Sequence, residues 1–127
     1  MSGSINELVQ SYFDTQVNGY LPVTSLTNAS SVSNGSTYDA GKIALAVCVQ
    51  ITSSAVLTAG TIVIQGSIDN VNWADIRSVT AATDFTGAIT KMYSQQAGNF
   101  GTSRYWRVAI TTALTGGTIT AKIVASP

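Results

Sequence analysis

The stretch Ile43-Ala-Leu-Ala-Val-Cys-Val-Gln-Ile-Thr52 decides the fold class of this chain. Large branched side chains take every second position, at Ile43, Leu45, Val47, Val49 and Ile51. A period of two is typical of a β-strand that turns one face toward a core. The opposite face is small and mildly polar, so we expect a central strand. Cys48 lies on that opposite face, and we expect its thiol to be buried and inert.

Further strands follow downstream, because short runs rich in β-branched residues alternate with turn residues. They are predicted over residues 61–68, 73–79, 87–93, 104–111 and 118–125. Turn residues at 69–72 and 114–117 predict two hairpins. The first joins the strands 61–68 and 73–79, and the second joins the last two strands, 104–111 and 118–125. Upstream, residues 21–26 alternate around Pro22, which suits an edge or a strand start. A polar linker is predicted over 27–37. The fold class is therefore all-β, a two-sheet antiparallel β-sandwich of jelly-roll or Ig-like type.

The first twenty residues differ from the rest, which predicts an N-terminal helical arm over 1–20 and a β-sandwich domain over 21–127. Ser4 and Glu7 have the spacing of a capping box. The apolar residues that follow lie on one helical face: Ile5, Leu8, Val9, Tyr12 and Phe13. A helix this short must dock on something. It either covers an open end of its own domain or grips a neighbouring subunit, and in the second case these five residues bind the partner.

Charge and composition exclude several classes of function. Six basic and six acidic residues give no net charge, so neither nucleic acid nor an acidic membrane surface is an expected partner. Histidine is absent and one cysteine is present. The commonest general base and metal ligand are therefore missing, and we expect no enzyme activity, no cofactor and no metal. Neither a membrane span nor a secretory signal is predicted, so we expect synthesis in the cytoplasm.

Three aromatic residues are candidates for a sugar-binding platform: Trp73, Tyr105 and Trp106. Neighbouring residues of a strand point to opposite faces, so at least one of Tyr105 and Trp106 should lie in the core. Trp73, at the base of a hairpin, is either a core residue or part of the platform. For Arg104 and Arg107 we expect solvated or ion-paired positions.

The chain from Leu26 to Ser126 resembles a family of tailed-phage virion proteins, the small β-sandwiches of the head-decoration and head-fibre type. Four segments carry the resemblance: 28–41, the strand and turn 60–73, Arg104-Tyr-Trp-Arg-Val-Ala-Ile110, and Gly116-Gly-Thr-Ile-Thr-Ala121. Val71 stands near a position where the pattern has glycine. The turn around Asp69 also resembles a shortened Asp-box, a hairpin-tip motif in which the acid holds the turn. The resemblance implies a virion component without catalytic residues, with a capsid or like subunits as partner.

Three functional hypotheses follow. The leading one is a structural virion protein of a bacteriophage, a capsid decoration or accessory head protein that assembles on the major capsid protein, on other virion subunits or as a homo-oligomer. The alternative is a glycan-binding β-sandwich module of a phage fibre. The third is a component of the tail or baseplate. Under the leading hypothesis, replacing Leu8 and Phe13 by serine abolishes assembly and leaves a folded β domain.

Overall fold

The computed structural model describes residues 21–44, 46–96 and 103–126, and every structural statement below concerns this part of the chain. It is almost entirely β-structure. The strands are β1 Val23–Ala29, β2 Ser33–Asn34, β3 Tyr38–Asp39, β4 Ala46–Ser53, β5 Ala59–Ser67, β6 Ala74–Thr80, β7 Thr90–Gln96, β8 Tyr105–Thr115 and β9 Ile119–Ser126. One short helix, α1 Ala81–Asp84, follows β6. The predicted helical arm lies outside the described residues.

The strands form two antiparallel sheets. The first sheet has the order β1-β9-β4-β7, and the second has the order β2-β8-β5-β6, with β3 also paired to β8. The pairs are nested along the chain: β1 with β9, then β2 and β3 with β8, then β4 with β7, and β5 with β6 innermost. This nesting, with its partners shared between two sheets, is the jelly roll. The structure therefore confirms the predicted sandwich and selects the jelly roll over the Ig-like arrangement.

The core lies between the two sheets. Val47, Val49 and Ile51 of β4 point into it and are at most 3% exposed. Strand β4 is central, between β9 and β7, as the sequence predicts. Trp106 of β8 is fully buried opposite them, and its Nε1 donates to the carbonyl oxygen of Ser103 at 2.9 Å. The indole N–H therefore has a partner inside the core, as a buried tryptophan requires.

One predicted hairpin is confirmed and the other is wrong. Strands β5 and β6 pair around the turn at 69–72. Strands β8 and β9 instead belong to different sheets. The turn between them bonds to the β4–β5 connection, since Thr118 N donates to Ser54 Oγ at 2.9 Å and Ser54 N to the Thr118 carbonyl at 2.9 Å. Gly116, with φ of +104°, packs directly on the Val56 carbonyl, where a side chain would collide.

Three other expectations need correction. Ile43 precedes β4 and is 55% exposed, because the chain is still crossing from one sheet to the other there, and Leu45 lies outside the described residues. The polar linker 27–37 contains the end of β1 and the short strand β2. The region 80–86, which the predicted strands 73–79 and 87–93 leave as a connecting loop, contains α1. Polar composition alone therefore did not predict a loop, since short edge strands tolerate it.

Ser25 links the two sheets at the edge where β1 faces β2. Its Oγ donates to the Ser36 carbonyl at 2.9 Å and accepts from Val108 N at 3.0 Å, and its carbonyl accepts from Ser36 N at 2.7 Å. Gly35 is packed against both elements, with its N–H on the Val108 carbonyl at 2.8 Å. A Cβ at Gly35 would lie 2.6 Å from that carbonyl oxygen. This contact requires glycine because of its close approach.

Candidate functional site

The turn between β5 and β6 is held by one carboxylate. Asp69 Oδ1 accepts from Val71 N at 2.9 Å, from Asn72 N at 2.8 Å and from Ser67 Oγ at 2.9 Å, and Oδ2 accepts from Asn72 Nδ2 at 2.8 Å. These bonds, from the Asn72 and Val71 amides foremost, hold the pKa of Asp69 far below its usual value. Asn70 takes a left-handed backbone with φ of 60°, which asparagine tolerates. The turn thus fixes the position of Trp73, the residue that follows it.

Three polar side chains form a row across β8, β5 and β6. Gln65 pairs with Arg107 on one side and with Asp75 on the other. Arg107 Nε donates to Gln65 Oε1 at 2.7 Å, and Gln65 Nε2 donates to Asp75 Oδ1 at 2.9 Å. The Gln65 amide therefore bridges the Arg107 guanidinium and the Asp75 carboxylate through two charge-assisted hydrogen bonds. These residues alternate with the core residues Ile64 and Trp106, so the row lies on the outer face of the second sheet.

Trp73 lies beside this row. The Arg107 guanidinium lies 4.1 Å from the centroid of the Trp73 ring, a cation–π contact that covers one ring face and fixes the orientation of the indole. Trp73 is half-buried, so part of the ring remains accessible. Partial burial lowers the pKa of Arg107, which stays charged. The Trp73 ring is therefore a surface aromatic held in place from beneath, not a residue of the core.

A second aromatic completes the surface. Tyr105 pairs with Ser67 of β5 and with Asp39 of β3, and it is half-buried. The Arg104 guanidinium lies 5.0 Å from its ring centroid and forms an ion pair with Asp39, with Nε 2.9 Å from Oδ1 and Nη2 3.2 Å from Oδ2. The bond to Arg104 lowers the pKa of Asp39. Arg104 is thus ion-paired, as the sequence predicts.

We call this set the Trp73 surface: Trp73, Gln65, Asp75, Arg107, Tyr105, Arg104 and Asp39. Continuing the β5–β6 register by one residue places Trp73 opposite Ser67, and Tyr105 flanks Ser67 from the other side. The two aromatics are therefore separated by two strand spacings, about 10 Å. The surface contains two arginines and two aspartates, so its formal charge is zero. It is a flat, neutral array of rings and planar hydrogen-bonding groups.

Sequence reasoning identified part of this surface. Trp73 and Tyr105 were candidates for a sugar-binding platform, whereas Arg104 and Arg107 were expected only to be solvated or ion-paired. The expectation that one of Tyr105 and Trp106 lies in the core is confirmed by Trp106. Gln65, Asp75 and Asp39 were missed. They meet only through strand register, and a bulge between Ile64 and Gln65 shifts that register. The weak signal available was a glutamine on a strand otherwise made of branched apolar residues.

The other candidates fall elsewhere. Ile5, Leu8, Val9, Tyr12 and Phe13 lie outside the described residues. Cys48 is half-buried on the outer face of the first sheet, not buried as expected, because it alternates with the core residues Val47 and Val49. Among the described residues no group of three or more acids and cysteines is placed to hold a metal ion. No helix in the described ranges is long and apolar enough to cross a membrane.

Comparison with known proteins identifies no matching family model and no matching curated protein. Solved structures do show similar folds. SPBc2 prophage-derived protein YomS has a TM-score of 0.51 at 19% identity, over 84% of this chain and 92% of that one. The K2 cleaved adhesin domain of Lys-gingipain has a TM-score of 0.56 at 8% identity, over 85% of this chain and 72% of that one. CBM32-1, from a family 31 glycoside hydrolase of Clostridium perfringens, has a TM-score of 0.46 at 9% identity, over 81% and 93%. At these identities the similarity to YomS and the adhesin domain establishes the β-sandwich fold alone.

Proposed function

We propose that this chain is a non-catalytic recognition module of a phage particle and that the Trp73 surface binds carbohydrate. The observation that carries the proposal is the half-exposed indole of Trp73, held by Arg107 at 4.1 Å beside the bonded row Arg107–Gln65–Asp75. An aromatic ring packs against the C–H face of a pyranose. Planar amide, carboxylate and guanidinium groups pair with neighbouring hydroxyls, because each offers two parallel donors or acceptors.

Preorganisation of the Trp73 surface favours the binding of a sugar, a ligand whose individual contacts are weak. The side chains of the Trp73 surface already bond to one another, so little rotamer entropy is lost when a ligand binds. Arg107 uses its Nε on Gln65, and no hydrogen bond among the described residues uses its two Nη groups. Those donors are therefore available to the hydroxyls of a ligand.

The charge of the surface narrows the class of sugar. Each arginine is matched by an aspartate, Arg104 directly by Asp39 and Arg107 through Gln65 by Asp75. A uronic or sialic acid would have to compete with these carboxylates. We therefore propose neutral hexoses, in a chain of at least two rings that reaches from Trp73 to Tyr105.

A glycan array tests this function. The intact chain is expected to bind neutral oligosaccharides, and Trp73→Ala to lose the signal while its far-UV circular dichroism stays unchanged. Val71→Ala is the matched control, since Val71 is in the same turn, 76% exposed, and outside the Trp73 surface. Absence of binding by the folded intact chain, or equal loss in the control, would contradict the proposal.

The phage setting is supported by two observations: the resemblance of residues 26–126 to phage virion sandwiches, and the similarity in fold to a prophage-derived protein. They also support the second candidate function, a capsid decoration or accessory head protein that acts by assembly. Large apolar side chains are exposed at one end of the sandwich: Ile43 at 55%, Ile68 at 70% and Val71 at 76%. They share that end because Ala44 bonds to Ser103, and Ser67 pairs with Tyr105.

Exposed apolar patches and the absence of net charge both favour association between subunits. Mass photometry of the purified chain is expected to show a homo-oligomer, or co-sedimentation a complex with major capsid protein shells. Ile68→Ser/Val71→Ser should reduce either one, and Val32→Ser, a 63% exposed residue between β1 and β2, should not. A monomer that binds no shell would contradict assembly and leave the glycan proposal untouched.

A further inference from the structure

The outer face of the first sheet has no partner among the described residues. Its side chains alternate with the core residues of the central strands, and among its polar residues, such as Gln50, Ser94 and Lys122, lies an apolar group: Ala46, Cys48, Met92 and Val124. Cys48 is flanked by Val124 and Ser94, and Gln50 by Lys122 and Met92. Met92 is 65% exposed. The face therefore presents a small apolar group, formed by Cys48, Met92 and Val124, within an otherwise polar surface.

A concavity of about 270 Å³ lies on this face. Its lining includes Cys48, Gln50, Met92, Val124 and Pro22. Pro22 is the second residue of the described chain, so the described residues begin at the rim of the concavity. The segment 1–20 carries the amphipathic pattern that needs a surface on which to dock.

We propose that the N-terminal segment of this chain docks on the outer face of its own first sheet. In this arrangement the stripe formed by Ile5, Leu8, Val9, Tyr12 and Phe13 covers Met92, Val124 and Cys48. The free energy comes from burial of apolar area on both sides, about 25 cal/mol per Å². The docked segment thus forms a second, smaller apolar layer with the outer face of the first sheet.

The length of the connection favours the chain's own segment over that of a second copy. Residues 14–20 link the apolar stripe to Leu21, and seven residues reach about 23 Å when extended. The concavity begins at Pro22, so the connection needs only part of that reach. A tether this short gives an effective concentration in the millimolar range. Intramolecular docking therefore prevails over exchange between copies at micromolar protein concentration.

Cys48 provides the test, because it is the single cysteine of the chain and lines the concavity. Its rate of labelling by a maleimide is measured at pH 7 on the full-length protein and on Leu8→Ser/Phe13→Ser. We expect labelling to be about tenfold faster in the double variant. A docked state about ten times more populated than the open state slows labelling by about that factor, and the double variant loses it. Gln10→Ser, outside the apolar stripe of the predicted helix, is the matched control and should label at the original rate. Equal rates in all three proteins overturn the proposal.

A further measurement keeps the result specific. Dilution separates the chain's own segment from a neighbour's. The rate should not depend on protein concentration, and faster labelling on dilution would show docking between copies instead. Far-UV circular dichroism confirms that each variant keeps its β-sheet.

Discussion

The contact between Arg107 and Trp73 gives a prediction that can be worked out from the structure. Arg107→Ala removes a cation–π contact at 4.1 Å and one charge-assisted bond to Gln65 at 2.7 Å. At a half-exposed site the first contributes about 0.5–1 kcal/mol. The second contributes about 1 kcal/mol. We therefore expect the free energy of unfolding to fall by about 1.5–2 kcal/mol, with the fold unchanged.

A double-mutant cycle isolates the ring contact. Trp73→Ala, Arg107→Ala and the double variant are unfolded in urea at pH 7, and the midpoint and slope of each transition give the free energy. We expect a coupling energy of about 0.5–1 kcal/mol between the two positions. Arg107→Lys should keep only part of this coupling, because an ammonium group can still lie over the ring but neither stacks on it nor forms the planar bond to Gln65. Additive effects, with a coupling below about 0.3 kcal/mol, would refute a preorganised Trp73 surface.

Three further predictions concern the fold. Trp106→Phe should cost about 2–3 kcal/mol in urea unfolding, because it leaves a cavity and removes the hydrogen bond from the indole to the Ser103 carbonyl, whereas Trp73→Phe should cost less than about 1 kcal/mol; similar costs would contradict their separate environments. Gly35→Ala should destabilise the chain by about 2 kcal/mol or more, since its Cβ meets the Val108 carbonyl, and Gly87→Ala, with its nearest neighbour at 3.7 Å, should be close to neutral; equal melting temperatures would refute the Ser25 link between the sheets. The pKa of Asp69 is lower in the folded state than in the unfolded chain, so its stabilising contribution is complete above the unfolded pKa of about 4 and is lost as pH falls below it. In Asp69→Asn, the free energy of unfolding, measured in urea, should therefore fall less steeply with decreasing pH. An unchanged dependence on pH would contradict the role of the carboxylate.

The periodicity of the sequence predicted those parts of the fold that depend on neighbours along the chain. The alternation in 43–52 predicted the central position of β4, and the turn residues around Asp69 predicted the β5–β6 hairpin. Period and turn chemistry are local, so they determine where a strand lies and where the chain reverses. They do not determine to which sheet the chain returns. The Gly116–Gly117 turn is therefore predicted as a hairpin, although its contacts with Ser54 and Val56 place the following strand in the other sheet.

The Trp73 surface could be predicted from the sequence only in part, for the same reason. Trp73 and Arg107 are 34 positions apart in sequence, and Gln65 joins them only because three strands place one residue each in the same row. Aromatic and basic residues could be named as candidates, but their partners depend on register and on the bulge beside Gln65. Ser25 shows the same dependence: a serine in an apolar alternation is unremarkable until its partners Ser36 and Val108 are known.

The most direct test of the carbohydrate proposal uses the two tryptophans of the chain, Trp73 at the surface and Trp106 in the core. Intrinsic fluorescence is recorded while a neutral hexose oligosaccharide is added to the intact protein and to Trp73→Phe. We predict saturable quenching or a spectral shift in the intact protein and none in Trp73→Phe, whose remaining indole is fully buried. A response that persists in Trp73→Phe, or an intact protein that gives no response to any neutral oligosaccharide, would contradict the account.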